Sequence, residues 1–251
     1  TSPTYEGIIS DIEVISDICH RYDTILMVDE AHGAHLDLNG AYPNGALRYG
    51  ADIVIHSTHK TLAAMTQTAL LHVQGNLVDI TQIEKYWTML QTSSPSYVLM
   101  ASIDNALHHI SEHPDMVREH LNLVGEIKDR LKDLKELRLL TSDDLSGYDT
   151  CIALDPYKLL VSTVNTYIDG YTLLNILLKD YHIQTEMAGD DYVLGITTYM
   201  DTREGLGRFA TALSEIDDRL GVRYYNEDST LRAQNRSLSD KRELYAPCIS
   251  T

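Results

Sequence analysis

The chain has 251 residues, and 20 lysines and arginines against 37 aspartates and glutamates leave a formal charge of −17. With 43% hydrophobic and 23% charged residues it is composed like an ordinary globular protein, long enough for one large domain or a medium one with a smaller partner. No apolar run approaches the roughly 20 residues of a membrane-spanning helix, and the acidic balance argues against a phosphate backbone as the main partner.

Cys19, Cys151 and Cys248 are scattered, odd in number and free of any CxxC pair, as in a reduced cytosolic chain. The sequence opens Thr1-Ser2-Pro3 with no signal-like stretch and closes Ile249-Ser250-Thr251, so both ends read as cuts through a longer protein.

In chain order, residues 8 to 22 carry helical spacing, with Ile8, Ile12, Ile15 and Cys19 on one side. Ile25-Leu26-Met27-Val28 is a short continuous apolar run that fits a strand buried on both faces and stops at Asp29. After a polar stretch with a short helical segment at Ala46 to Tyr49, two more such runs follow, Asp52 to His56 and Ala69 to Val73. Apolar strands separated by helices or polar loops predict an α/β layer with a mostly parallel sheet.

Helices are expected from Val98 to about His109 and from Asp115 to Leu137. In the second, Val117, Leu121, Val124, Ile127, Leu131 and Leu134 form a packing stripe. The character changes in the polar loop from Thr141 to Gly147. Beyond it the pattern predicts a strand (151–163), a helix (170–180), two strands (182–187 and 192–198) and a helix (202–218), together a small α+β domain. The expected division is 1–140, 141–220 and a polar, weakly patterned remainder, 221–251.

Three features carry chemistry: Val28-Asp29-Glu30-Ala31-His32, then Ser57-Thr58-His59-Lys60, then Thr92-Ser93-Ser94-Pro95-Ser96-Tyr97. The first two each follow an apolar strand, and open parallel sheets bind ligands beyond the carboxyl ends of their strands. Taken singly, Asp29 reads as a helix cap and Lys60 as a surface lysine. Taken together they suit a different task. A lysine among small and hydroxyl residues in an apolar stretch can be desolvated, which frees its lone pair for attack on a carbonyl, as a Schiff-base lysine requires. A pyridine aldehyde needs in addition an anion to keep its ring nitrogen protonated, a task for Asp29. Ser57 and His59, on the same turn, offer a hydroxyl and an imidazole donor to a phosphate.

With these residues in hand, the segments VDEAHGAH, GADIVIHSTHKTLAAMTQTALLH and QTSSPSYVLMASID resemble the Orn/Lys/Arg decarboxylases, pyridoxal-phosphate enzymes of fold type I. DPYKLLV, GYTLLNILLKDYHIQTEM and YVLGITTYMDTREGLGRFATAL extend the likeness through the smaller domain to about residue 220. The resemblance implies that 1–140 is the C-terminal part of the large, cofactor-binding domain and that 221–251 begins the family's C-terminal region.

It further implies that Lys60 carries the cofactor, that Asp29 pairs with its ring nitrogen, and that Ala31 or His32 lies against the ring. Ser57 and His59 then contact the phosphate, Thr92, Ser93 and Ser94 lie near a phosphate at a dimer interface, and Ser2 and Thr4 lie near the cofactor hydroxyl. The implied reaction is loss of CO2 from arginine, lysine or ornithine, a step in polyamine synthesis, with Lys60 or His59 returning a proton to the α-carbon. The implied partners are a small basic amino acid and a second copy of the chain. The family's glycine- and serine-containing phosphate loop and its ring-stacking aromatic or histidine lie upstream of this sequence.

Other readings remain at this point. An aminotransferase or a carbon–carbon bond-forming relative uses the same Asp and Lys logic. Asp-Glu-Ala-His after a strand is also the Mg-binding motif of DEAH nucleotide hydrolases, although no Gly-x-x-x-x-Gly-Lys-[Ser/Thr] loop occurs. His32 and His35, with Asp29 and Glu30, have the donor types of a metal site, a reading weaker than hydrogen-bonded structure.

Overall fold

The computed structural model describes residues 1–38, 43–148 and 150–226. Most of the expected C-terminal region, 227–251, lies outside the described residues. The elements in chain order are β1 (Ile8–Ser10), α1 (Ile12–Arg21), β2 (Met27–Asp29), β3 (Ile53–His56), α2 (Thr58–Thr61), β4 (Leu70–Val73), α3 (Ile80–Leu90), α4 (Tyr97–Glu112) and α5 (Asp115–Leu131). They continue with β5 (Arg138–Leu139), a 3-10 turn at Ser142–Leu145, β6 (Cys151–Leu154), β7 (Lys158–Ser162), α6 (Gly170–Tyr181), β8 (Met187–Ala188), β9 (Tyr192–Ile196) and α7 (Arg203–Asn226).

Two compact units are interleaved in sequence. Unit 1 takes 1–124, 141–158 and 197–201, and unit 2 takes 125–140, 159–196 and 202–251. α5 and β7 each run from one unit into the other.

In unit 1, Asp11 caps α1 by accepting the Val14 N–H at 3.1 Å. The helix starts later than expected, because Ile8 and Ile9 belong to β1, paired antiparallel with β6. Its inward face is Ile12 and Ser16, while Ile15 is exposed. The reason is a tertiary contact: the turn at Gly50 (φ +87°) sits against Ser16, whose Oγ lies 2.9 Å from where a Cβ would be. On the same face, His20 Nε2 donates to Asp52 at 2.9 Å. Asp52 also accepts the Leu26 N–H at 2.8 Å, so one buried carboxylate joins α1 to the starts of two strands. The helix expected at Ala46–Tyr49 is a run of turns ending at that glycine.

These ties set the sheet. β2 and β3 run parallel with Val28 opposite Val54 and Asp29 opposite Ile55, and β4 pairs antiparallel with the far side of β3. Val28 and Val54 are buried, but Met27 is exposed, so β2 does not have the two buried faces expected of it. α3 was not foreseen: Asp79 caps it, yet none of its residues is buried, so its apolar positions give no core stripe to read.

The stripe on α5 does pack inward at Val117, Val124, Ile127 and Leu131, and the helix ends at Leu131, six residues before the expected limit. The strand expected over 151–163 is broken by Asp155-Pro156 into β6 and β7. The Asp155 carboxylate bends the chain by accepting the Tyr157 N–H at 2.9 Å.

Unit 2 is a four-stranded sheet in the order β5-β7-β9-β8, with Leu140, Leu160 and Leu194 in its core. The strand expected at 182–187 shortens to β8, because His182 caps α6 in the left-handed conformation (φ 55°). On α7, Asp217 accepts three consecutive N–H groups, from Lys135, Glu136 and Leu137 at 2.7–2.9 Å, and so satisfies the backbone after α5. No helix among the described residues is long and apolar enough to cross a membrane.

Candidate active site

β3 runs out at Ser57, whose side chain makes no capping bond to α2. The short helix is held from beneath by Thr68: Thr58 Oγ1 donates to Thr68 Oγ1 at 2.7 Å, and that hydroxyl donates to the Met65 carbonyl at 2.7 Å. His59 Nδ1 lies 2.8 Å from the Thr68 carbonyl. A carbonyl only accepts, so Nδ1 carries the proton and Nε2 is the nitrogen left for other partners. Lys60, half-buried, turns back toward β2, where its Nζ is 3.1 Å from His32 Nε2 and 5.8 Å from the centre of the Tyr5 ring.

Asp29 ends β2 with its side chain exposed, and its Oδ1 accepts the Ala31 N–H at 3.0 Å. That bond turns the chain at Ala31 and delivers His32 inward, where it is 4% exposed. The His32 ring packs on Tyr5 with centroids 4.5 Å apart. Its Nδ1 faces a second amine, Lys158 Nζ, at 2.9 Å. Burial first, then the nearby charges of Lys158 and Lys60, push the His32 imidazole down to about 4, while Asp155 and Asp29 pull the other way. Lys60 and Asp29, from neighbouring strand ends, thus both act on this one ring.

Of the remaining expected residues, Ser2 is buried; its N–H donates to the Asp29 carbonyl at 3.0 Å and its Oγ accepts the Ser10 N–H at 3.1 Å. Thr4 Oγ1 accepts the Ile8 N–H at 3.1 Å, across the turn that contains Gly7. Both hydroxyls brace the N-terminal segment beside β2. Thr92, Ser93 and Ser94 stand exposed in the link between α3 and α4, where Thr92 Oγ1 accepts the Ser94 N–H at 3.3 Å.

Two buried polar networks escaped the sequence reading. In the first, Glu30 Oε1 accepts the Ala46 N–H at 2.9 Å and Oε2 accepts from His56 Nε2 at 2.7 Å. The other nitrogen of His56 is 3.1 Å from His72 Nε2, so the chain of bonds crosses β2, β3 and β4 at their site ends. Burial, then the charge of His56, lowers the His72 imidazole. Removing the Glu30 carboxylate leaves the Ala46 N–H and the His56 Nε2–H without their acceptor. Glu30→Ala is therefore expected to lower unfolding stability by about 1–3 kcal/mol in urea titrations; an unchanged stability would reject this role.

In the second network, His35 Nε2 donates to Asp155 at 3.0 Å with both side chains fully buried, and its ring stacks on Tyr157 at 4.2 Å. His120 meets the edge of the same tyrosine at 4.8 Å. Burial raises the Asp155 carboxyl, but the charge and hydrogen bond of His35, with the charge of Lys158, bring it below the usual range. Asp-Pro-Tyr-Lys ahead of a Leu-Leu-Val run was the available signal, since a lysine opening an apolar strand is placed to be buried.

These partners also bear on the other readings. His32 faces two amines and His35 a carboxylate, and no group of three or more metal-type donors occurs among the described residues. Glu30, the second acid of the DEAH-like run, has both carboxylate oxygens committed inside the fold.

Comparison with known proteins bears on what this arrangement is. Residues 1–203 match the family described as Orn/Lys/Arg decarboxylase, major domain. The chain belongs to this family. Arginine decarboxylase of Halalkalibacterium halodurans is 33% identical over 218 residues, which cover 86% of this chain and 44% of that one. The chain thus spans less than half the length of this relative. Among solved structures, the Francisella novicida lysine decarboxylase LdcF matches with a TM-score of 0.68 at 18% identity, over 92% of this chain and 39% of its own. Alanine–glyoxylate aminotransferase of a Nostoc species matches with a TM-score of 0.64 at 18% identity, over 84% and 58%. At such identities the likeness shows the fold: this family member has the fold-type-I architecture that lysine decarboxylases share with aminotransferases.

Proposed function

We propose that this chain carries the cofactor-holding half-site of a pyridoxal-phosphate-dependent decarboxylase of a basic amino acid, arginine, lysine or ornithine, working as a homodimer. The observation that carries the reading is that Lys60 Nζ lies 3.1 Å from the buried His32 ring, whose own position is set by the turn that Asp29, at the end of the adjacent strand, closes on the Ala31 N–H. The residues present fit the group. Ser57 Oγ is not spent on its helix and His59 has Nε2 to offer, so the two can hold a phosphate. Ala31 adds only a methyl group beside His32, and the exposed carboxylate of Asp29 can meet a ring nitrogen.

When bound, pyridoxal phosphate supplies a ring that accepts the electron pair left as the carboxylate leaves the α-carbon. The chain's own residues do the rest. The Lys60 amine anchors the cofactor covalently, Asp29 keeps a positive charge on the ring nitrogen, and His32 packs beside the ring. The proton returned to the substrate comes from Lys60 Nζ or from His59 Nε2, the His59 nitrogen that the Thr68 carbonyl leaves uncommitted. Thr92, Ser93 and Ser94, exposed between α3 and α4, would serve a phosphate at a dimer contact, while Ser2 and Thr4 would hold the N-terminal segment near the cofactor hydroxyl. In this reading 1–140 forms the cofactor domain and 141–220 the smaller one.

The test is the visible absorbance of the protein with pyridoxal phosphate, before and after Lys60→Ala, together with CO2 release from the three amino acids. The band is expected to vanish with Lys60. A band that survives the change rejects Lys60 as the anchor, and turnover without CO2 release rejects decarboxylation in favour of aminotransferase-type chemistry.

A further inference from the structure

The Lys60–His32–Lys158 row has a stoichiometry that constrains its protons. His32 Nε2 is 3.1 Å from Lys60 Nζ and His32 Nδ1 is 2.9 Å from Lys158 Nζ. An imidazole without an added proton has one N–H and one lone pair, whereas an ammonium only donates. The two amines therefore cannot both be ammonium ions while each is bonded to this ring. One donates to the lone pair, and the other, as a neutral amine, accepts from the N–H.

We infer that Lys158 is a proton reservoir for Lys60, connected to it through the two nitrogens of His32. In one state a Lys60 ammonium donates to Nε2 while the Nδ1–H donates to a neutral Lys158 amine. In the other, the N–H bond at Lys60 has broken and one has formed at Nε2, while the Nδ1–H has broken and the proton has joined Lys158. One proton leaves Lys60, one arrives at Lys158, and the ring is neutral before and after. The inference rests on Lys60 being the reacting amine, since the transfer leaves Lys60 with the lone pair that attack on a carbonyl requires.

The setting of both ends suits this exchange. Lys158 is fully buried, so the proton it receives is shielded from solvent. Gly7 lets it lie where it does: at φ +102°, a Cβ there would come within 2.5 Å of Lys158 Cγ. The charges acting on His32 are Lys158, Lys60, Asp155 and Asp29, and Asp155, itself bonded to His35, is the anion whose charge Lys158 shares. Burial, the largest of the causes that lower the proton affinity of the His32 ring, acts whichever amine holds the charge and keeps the ring from trapping the proton midway.

Lys158 is on this view a positioning residue, and its effect is readable without cofactor. Trace acetic anhydride acylates neutral amines only, so peptide mass spectrometry across a pH series reports how available the Lys60 lone pair is in the folded, ligand-free chain. Lys158→Met is expected to slow Lys60 labelling at neutral pH by about tenfold and move its profile to higher pH, because the internal proton acceptor is gone. Lys158→Arg, a permanent donor to Nδ1, keeps the Nε2–H aimed at Lys60 and is expected to retain rapid labelling. His32→Phe is expected to slow labelling as Lys158→Met does, and in the His32→Phe background Lys158→Met has no further effect.

An unchanged profile in Lys158→Met overturns the inference, as does an equal effect with and without His32, which would be charge acting through space. Should Lys158→Met not fold, His32→Phe decides alone: labelling as fast as in the parent overturns the relay. If Lys60 takes up no pyridoxal phosphate but its labelling shifts as stated, the decarboxylase reading falls and the relay stands.

Discussion

Asp29→Asn is expected to leave pyridoxal phosphate attached to Lys60 and to cut turnover by about a thousandfold. The substitution keeps the shape of the side chain and an oxygen able to accept the Ala31 N–H, so the turn that aims His32 survives. What disappears is the negative charge. A carboxylate about 4 Å from a cationic ring nitrogen, at an effective dielectric near 20, contributes about 4 kcal/mol before desolvation costs, and each 1.36 kcal/mol of barrier is tenfold in rate. The visible band of the bound cofactor and the rate of CO2 release separate the two effects: band kept and rate lost is the expected pair. Near-normal turnover rejects the ring-nitrogen role, and loss of the band shows that Asp29 contributes to holding the cofactor instead.

The α/β layer and the places where chemistry could sit were legible because strand ends and apolar runs are local signals. Asp29 follows the Leu26-Met27-Val28 run and Lys60 follows Ile53-Val54-Ile55, so both could be placed beyond their strands without knowing how the strands pair. What could not be read is what faces these residues across the sequence. His32 meets Lys158, 126 residues away, and His35 meets Asp155, 120 residues away; no spacing rule connects such pairs. Helix limits failed for a related reason. α1 turns Ser16 inward in place of Ile15 because Gly50 packs against the serine, a tertiary preference that apolar periodicity does not encode. The Glu30–His56–His72 chain was hidden by its neighbours: Glu30 follows the more conspicuous Asp29, and His56 precedes Ser57.

Acidification should destabilise unit 1 well before its carboxylates titrate, because two of its histidines are buried in the neutral form. His120 is held down to about 4, first by burial and then by the charge of His35, while its Nε2 lies 3.0 Å from Thr197 Oγ1. His32 is likewise held to about 4. In the unfolded chain both return toward 6.5, the ordinary value for histidine. Between those limits the unfolded state binds more protons than the folded one, so stability falls with falling pH; the contribution is complete above about 6.5 and gone by about 4.

Each group contributes a slope of roughly 1.4 kcal/mol per pH unit within that window. Moving to about pH 5 thus costs roughly 4 kcal/mol for the pair. That is a large share of the roughly 5–15 kcal/mol by which domains are stable. Asp155 has the same sign but acts lower, since its depressed carboxyl loses its contribution only below the ordinary aspartate value of 3.8. Urea unfolding followed by circular dichroism in this pH range measures the slope. His120→Gln, which keeps a polar partner for Thr197 but does not titrate, is expected to halve it, and a stability that is flat across the window would show that neither ring is buried neutral.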